Sequence, residues 1–320
     1  MTLASKTSKP RFALALLLNV VLLILFIPTA LLLGEASQTV ITEIRLPRIS
    51  TAIVAGIALA LAGVMSQAIF VNPIIEPSLL GLNSSAALGA LLGVILGFAQ
   101  VGAPSMIPFA MVGALVCALV VLRLSERRSA IILILNGIAI TALTTALLGG
   151  AIGLLDRDDI RSFSFWSFGS LALADWNAAL TIAIALIISI PFLFLVRNGL
   201  DLISLGESSA RHIGVDLKRL RALSFTSIAI LVAATVSTIG SIAFLGLASA
   251  HIARVLVGPR ISRVIPIASL VAANILLLAD TFARRAFFPQ EVPIGFVIAI
   301  IAAPILIWAI REQRIWRESV

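Results

Sequence analysis

The chain has 320 residues, of which 60% are hydrophobic and only 12% charged, with a mean hydropathy of +1.15. A soluble chain of this length needs far more polar surface to cover its core, so the composition excludes a water-soluble domain. The net charge of +8 does not signal a nucleic-acid partner: the basic residues fall between apolar runs, where they set membrane topology and meet lipid headgroups.

In chain order, apolar segments lie at 12–33, 48–70, 80–99, 105–123, 130–154, 177–196, 222–239, 243–258, 264–283 and 294–310. Most have about the 20 residues that cross a bilayer core as a helix, and the alternating ten-residue pattern of a membrane barrel is absent. The sequence therefore predicts an all-α membrane protein of about ten transmembrane helices, a single domain over residues 1–320. Lys6, Lys9 and Arg11 precede the first segment as in a signal peptide. That segment is too long for a signal core and has no clear cleavage site, so it reads as a retained helix. The segment at 243–258 is the weakest, short and carrying His251 and Arg254. It reads as a partial or re-entrant helix, tolerated where protein or a wet cavity satisfies its backbone.

Ten crossings put both termini on one side. With that side cytoplasmic, 17 basic residues lie inside and 6 outside, as the positive-inside rule requires. The longest polar interval, Leu200–Arg221 (LDLISLGESSARHIGVDLKRLR), then faces the cytoplasm. Its charges are interleaved with Leu, Ile, Val and Gly, which suits a short folded partner-binding element better than a linker. Gly89, Gly93 and Gly97, and Ala52, Gly56, Ala60 and Gly63, form small-residue faces that let helices approach closely in lipid.

No catalytic constellation is present. His212 and His251 have no Cys or carboxylate at ligand spacing, which argues against a metal site. Cys117 sits alone in an apolar run and reads as core packing. The lysines are Lys6, Lys9 and Lys218, none in a Gly-rich loop; without a Walker A sequence, any ATP-driven activity needs a separate subunit. Glu76, Asp280 and Arg254 fall near segment ends, and no carboxylate falls mid-segment. A stand-alone proton- or sodium-driven carrier normally buries one there. Asn136, Thr141, Thr144 and Thr145 place polar groups on the fifth segment, for interhelical hydrogen bonds or for lining a pathway. Asn72-Pro73-Ile74-Ile75-Glu76-Pro77 forbids a continuous helix and reads as a turn or a cytoplasmic gate. Arg45-Leu46-Pro47-Arg48 reads as a rigid external corner. It either anchors to headgroups or docks the carboxylates of an external protein.

Several blocks in order carry a family resemblance: RLPRISTAIVAGIALALAGVMSQAIFVNPIIEPSLLGLNSSAALGA (45–90), WSFGSLALADW (166–176), LISLGESSARHIGVDLKRLR (202–221), GSIAFLGLASAHIAR (240–254), LLLADTFAR (276–284) and PQEVPIGFVIAIIAAPILIWAI (289–310). From about Arg45 to Ile310 the chain resembles the permease subunits of ATP-binding-cassette importers for iron–siderophore complexes, haem and vitamin B12. The resemblance implies a BtuC-like fold of ten helices in the bacterial cytoplasmic membrane, with both termini inside. It implies a second permease copy or relative, two cytoplasmic ATPase subunits that hold the ATP and magnesium, and an external substrate-binding protein. This chain itself would carry no cofactor and be no enzyme. By the same resemblance Gly206, Glu207, Ala210, Arg211, Gly214 and Val215, within the coupling segment 198–221, contact the ATPase. Arg45, Arg48 and Arg284 dock the binding protein, Asn72 and Ile74 form a gate, Ser129 marks a second gate, and Asn136 tunes the pathway. A ferric siderophore is the expected cargo, with vitamin B12 or haem as the alternative. Two departures stand out. Ala250 replaces the family's proline before histidine, and Gly240-Ser241-Ile242-Ala243 replaces Gly-Pro-Ile-Gly, so the backbone of the eighth segment is expected to differ locally.

Overall fold

The structure, a computed structural model, describes residues 8–33, 37–101, 103–124, 130–204, 206–286 and 290–318. The helices, in order, are α1 (Ser8–Leu32), α2 (Leu46–Ile69), α3 (Leu82–Ile95), α4 (Met106–Leu124), α5 (Ala130–Ile152), α6 (Arg157–Ser167), α7 (Trp176–Ile203), α8 (Glu207–His212), α9 (Leu217–Ile239), α10 (Leu245–Val257), α11 (Ile261–Arg285) and α12 (Ile294–Glu318). No strand occurs among the described residues. Among the described residues seven helices are long and apolar enough to cross a membrane, and three apolar helices are shorter. Together they account for the ten expected segments.

The helix ends show why the chain breaks where it does. Asp175 caps α7 by accepting from Ala178 N–H at 2.8 Å, and Asp216 caps α9 from Lys218 and Arg219. Both are the side-chain acceptors that helix N-termini favour. Helices α7 and α9 extend past the apolar runs into the polar interval, because apolar pattern marks where lipid lies rather than where the hydrogen-bond ladder stops. The amphipathic α6 falls between apolar segments and was not expected. Its Phe163 and Trp166 are buried, while Arg157, Asp158 and Arg161 are exposed and keep the other face polar.

Helix α2 is the hub. It packs against α7, α9, α10 and α11, and 78% of its apolar span is buried, against 17% for α1 and for α5. Helix α1 therefore turns large apolar side chains, such as Leu14 and Ile24, toward lipid, where such exposure costs nothing. The outer end of α2 does not form the expected corner. A π-helical turn, Val40–Arg45, runs directly into α2. Pro47 sits in the first helical turn, where its missing N–H would be unpaired anyway.

The expected small-residue contacts form in part. A Cβ built on Gly63 would lie 2.5 Å from the Gly246 carbonyl carbon, and one on Gly89 2.3 Å from Phe109 O, whereas Gly97 faces open space. The α2–α10 and α3–α4 crossings thus bring backbone onto backbone. Gly63→Ala should part α2 from α10 and lower stability by about 1–3 kcal/mol, the usual cost of overpacking. Gly150→Ala, which meets nothing within 4 Å, should leave the melting temperature unchanged. Thermal unfolding in detergent compares the two, and equal melting of both variants would contradict the contact.

Candidate functional site

Three polar regions break the apolar bundle. The first is at the end where α2, α7 and α10 finish. There α8 is a single-layer element between α7 and α9. Its C-terminus is closed by Gly214 N–H to Arg211 O at 2.9 Å and Val215 N–H to Ala210 O at 3.0 Å, a Schellman closure. Gly214 has φ +93°, the left-handed conformation that glycine adopts without strain. Glu207 is ion-paired to Arg221 and lies 4.0 Å from Arg211. These contacts sort the expected coupling residues. Ala210 is buried, Val215 is half-buried against the core, and Gly206, Glu207 and Gly214 shape the element. The surface it presents is Ser208, Ser209, Arg211, His212, Ile213 and Gly214. Ile213, 61% exposed, was missed by sequence reasoning. A lone isoleucine beside charges carries no signal until the helix faces are known.

The second region is at the opposite end, where α11 finishes beside the start of α2. Arg48 Nε meets Asp280 Oδ1 at 2.7 Å, and its two terminal nitrogens meet both Glu291 oxygens at 3.1 and 2.9 Å. Asp280 Oδ2 lies 3.3 Å from Arg284 Nε. Arg45 donates to the Leu31 carbonyl and Arg284 to Ala30 O. The Arg48 side chain is only 5% exposed and that of Asp280 is 0%. The expectation that Arg48 presents itself to an external protein is therefore not met in this chain: its donors are spent inside, tying α2 to α11 and to the segment before α12. Arg45 is also buried, Arg284 is partly exposed, and the adjacent Arg285 is exposed.

The third region is inside the bundle. The break after α2 does not stay at the surface. A 3-10 turn, Pro77–Leu80, leads into α3, and Glu76 is buried with its Oε2 accepting from Leu247 N–H at 3.1 Å. Phe244 N–H bonds the same carboxylate. Helix α10, of 13 residues, is about 20 Å long and too short for a ~30 Å bilayer core. Its N-terminus opens within the protein, and Glu76 caps it, roughly 15 Å from the helix's other end. The sequence expectation placed Glu76 near a segment end, and the structure buries it inside the bundle. Glu76 is at a segment end in sequence but enters the bundle because the chain re-enters after Pro73. The departure at Ser241 is absorbed locally, its hydroxyl accepting from Asn83 Nδ2 of α3 at 2.7 Å. Ala250 sits buried within an unbroken α10.

Asn72 Oδ1 accepts from Ile74 N–H at 3.1 Å and holds the turn; both residues are half-buried. Asn136 is half-buried on α5, and Thr144 meets Ser84 of α3 at 2.7 Å. Ser129 lies outside the described residues. No group of three or more His, Cys, Asp or Glu that could hold a metal occurs among the described residues.

A multi-pass helical bundle with a re-entrant half-helix and a polar element at one end is the architecture of a transport permease. The comparisons place it. The FecCD transport family model matches residues 12–312, so the chain belongs to the FecCD transport family. The hemin transport system permease protein HmuU of Yersinia pestis is 35% identical over 292 residues, 89% of this chain and 87% of that protein. The vitamin B12 import system permease protein BtuC of Klebsiella pneumoniae is 36% identical over 311 residues, 95% of this chain and 93% of that one. A solved metal-chelate type ABC transporter in an inward-facing conformation superposes with a TM-score of 0.85 at 31% identity, covering 92% of this chain and 98% of that one. This chain is therefore an ABC importer permease of that family.

The buried ion network makes a direct prediction. Asp280→Ala would leave two guanidinium groups facing each other without their shared carboxylate, and should cost about 3–5 kcal/mol. Arg285→Ala, at an exposed position, should change stability little. Melting of the two purified variants checks this, and a wild-type-like Asp280→Ala would contradict the network's role.

Proposed function

We propose that the chain is one permease subunit of a multi-subunit importer in the bacterial cytoplasmic membrane, working with a second permease, two ATPase subunits and an external binding protein. The observation that carries this reading is the built element at α8: a capped helix that turns Arg211, His212 and Ile213 outward on a chain lacking a nucleotide-binding loop. With that end cytoplasmic, the basic residues follow the positive-inside rule. ATP binding would close the ATPases, and α8, anchored to α9 through Glu207–Arg221, would move as part of the helix pair. The opposite end would receive the binding protein through Arg284 and Arg285, with Arg48 and Asp280 keeping that surface in place. The side of α5 that carries Asn136 would face the axial pathway of the permease pair, and the Asn72–Ile74 turn would close it.

For cargo we propose a large metal chelate, a ferric siderophore first. The second reading, haem or vitamin B12, is favoured by the printed names of the relatives. Near-equal identity to a hemin permease and a vitamin B12 permease supports a cavity wall that discriminates little among such chelates. Proteoliposomes with the matching ATPase and binding protein, loaded in turn with ferric siderophore, haem and cobalamin, should accumulate the siderophore with ATP. Uptake of haem or cobalamin alone would replace the cargo, and uptake without the ATPase would refute the importer reading.

Arg211→Glu and Ile213→Asp should each uncouple transport, lowering ATP-driven uptake at least about tenfold with the melting temperature unchanged. Normal uptake in both would remove α8 from the coupling surface.

A further inference from the structure

At the α8 end a cavity of about 180 Å³ opens beneath the hub helix, lined by Gln67, Val71, Asn72, Asp201, Ser204 and Arg254 among others. It is well below the ~300–1,000 Å³ of pockets that hold whole ligands, so it is not a chelate site. Its polar capacity is unusual. Arg254 is bonded to the Gln67 side-chain oxygen, a neutral acceptor. Arg48, Arg221 and Arg284 each lie on a carboxylate, whereas Arg254 has none within ion-pair distance among the described residues. Gln67 is 2% exposed, and its Nε2 has no partner among the described residues. The carboxylate on the wall, Asp201, is turned to Ile261 N–H at 2.8 Å, where it caps α11. Asn72 Oδ1 is likewise spent on Ile74 N–H.

What the cavity offers an anion is therefore the Arg254 charge and the unspent donors beside it, with the Asp201 charge held at the α11 N-terminus. Val71, a β-branched residue at φ +48°, lies on the same wall. Such strain persists only where surroundings impose it, and it clusters at ligand sites. The cavity lies among the ends of α2, α7 and α10 and the start of α11, and Ser204 on its wall stands three residues before α8, so it is on the α8 side of the bundle.

We propose that this cavity is an anion site: it receives one oxyanion group from the α8 side on the Arg254 guanidinium and Gln67 Nε2, a charge-assisted arrangement suited to carboxylate or phosphate oxygens. The group can come from free phosphate or from an acidic side chain of the protein bound at α8. Only the second source rests on the importer reading.

The test has two arms, with wild type, Arg254→Gln and Gln67→Glu as full-length permeases in a maltoside detergent, which carries no phosphate. Gln67→Glu keeps the side-chain shape and places a carboxylate on Arg254, filling the site from within. In the first arm, inorganic phosphate is titrated against chloride at equal ionic strength. A free-anion site raises the wild-type melting temperature by about 3 °C or more and leaves both variants unmoved. In the second arm, the permease is titrated with its ATPase subunit. A carboxylate source weakens binding about tenfold in both variants while the phosphate response stays flat. If Arg254→Gln does not fold, Gln67→Glu alone decides. A phosphate response that survives Gln67→Glu, or no response in the first arm together with wild-type ATPase affinity for Gln67→Glu, overturns the proposal. Failure of the second arm in Arg211→Glu and Ile213→Asp as well would instead place the fault with the ATPase reading.

Discussion

The structure depends on one demand of the bilayer: every backbone N–H within it must find an acceptor inside the protein. Helix α10 tests that demand hardest, because it begins in the interior with the free N–H groups that every helix N-terminus carries. Glu76 meets it by accepting from Leu247, and to do so the chain after α2 must fold back into the bundle. That re-entry sets the Asn72 turn, the start of α3 and the backbone contact between Gly63 and Gly246. A turn, a half-helix and a hub contact thus share one cause.

The opposite end solves a related problem with charges. Arg48 and Asp280 are almost wholly buried, which would be costly for either alone. Asp280 lies between Arg48 and Arg284, and Glu291 takes the remaining fork of Arg48. The network joins α2, α11 and the start of α12 without placing a lone charge in the interior. This end of the bundle gains a fixed shape from such a frame, and its partly exposed and exposed arginines, Arg284 and Arg285, are held by a scaffold rather than by loops.

Sequence reasoning read the helices well where lipid writes the pattern. The ten apolar runs and the weak eighth segment are present in the fold, and the small-residue crossings in part. It failed where three-dimensional return of the chain decides. Glu76 looks like a loop residue until the re-entry places it on α10, and Arg48 looks like a surface arginine until Asp280, 232 residues away, arrives beside it. The short α6 escaped because its apolar face is only a few residues wide, and α7 ran on past its apolar stretch because polar residues hold a helix equally well in water. At α8 the polar interval folds into a compact element, but which of its side chains face outward depends on the Schellman turn at Gly214 and on the Glu207–Arg221 pair, neither of which has a signature in one dimension.

A buried carboxylate at mid-depth has two meanings in a membrane protein: a helix cap, or the proton site of a gradient-driven carrier. The account holds Glu76 to be a cap in a permease driven by ATP from its partner. The most direct measurement is uptake into proteoliposomes by wild type and Glu76→Gln, with the ATPase and ATP or with an imposed proton gradient alone. Glutamine can still accept from Leu247, so the account predicts ATP-dependent uptake within about twofold of wild type for Glu76→Gln, and no uptake from the gradient in either protein. Gradient-driven uptake by the wild type, lost in Glu76→Gln, would contradict it.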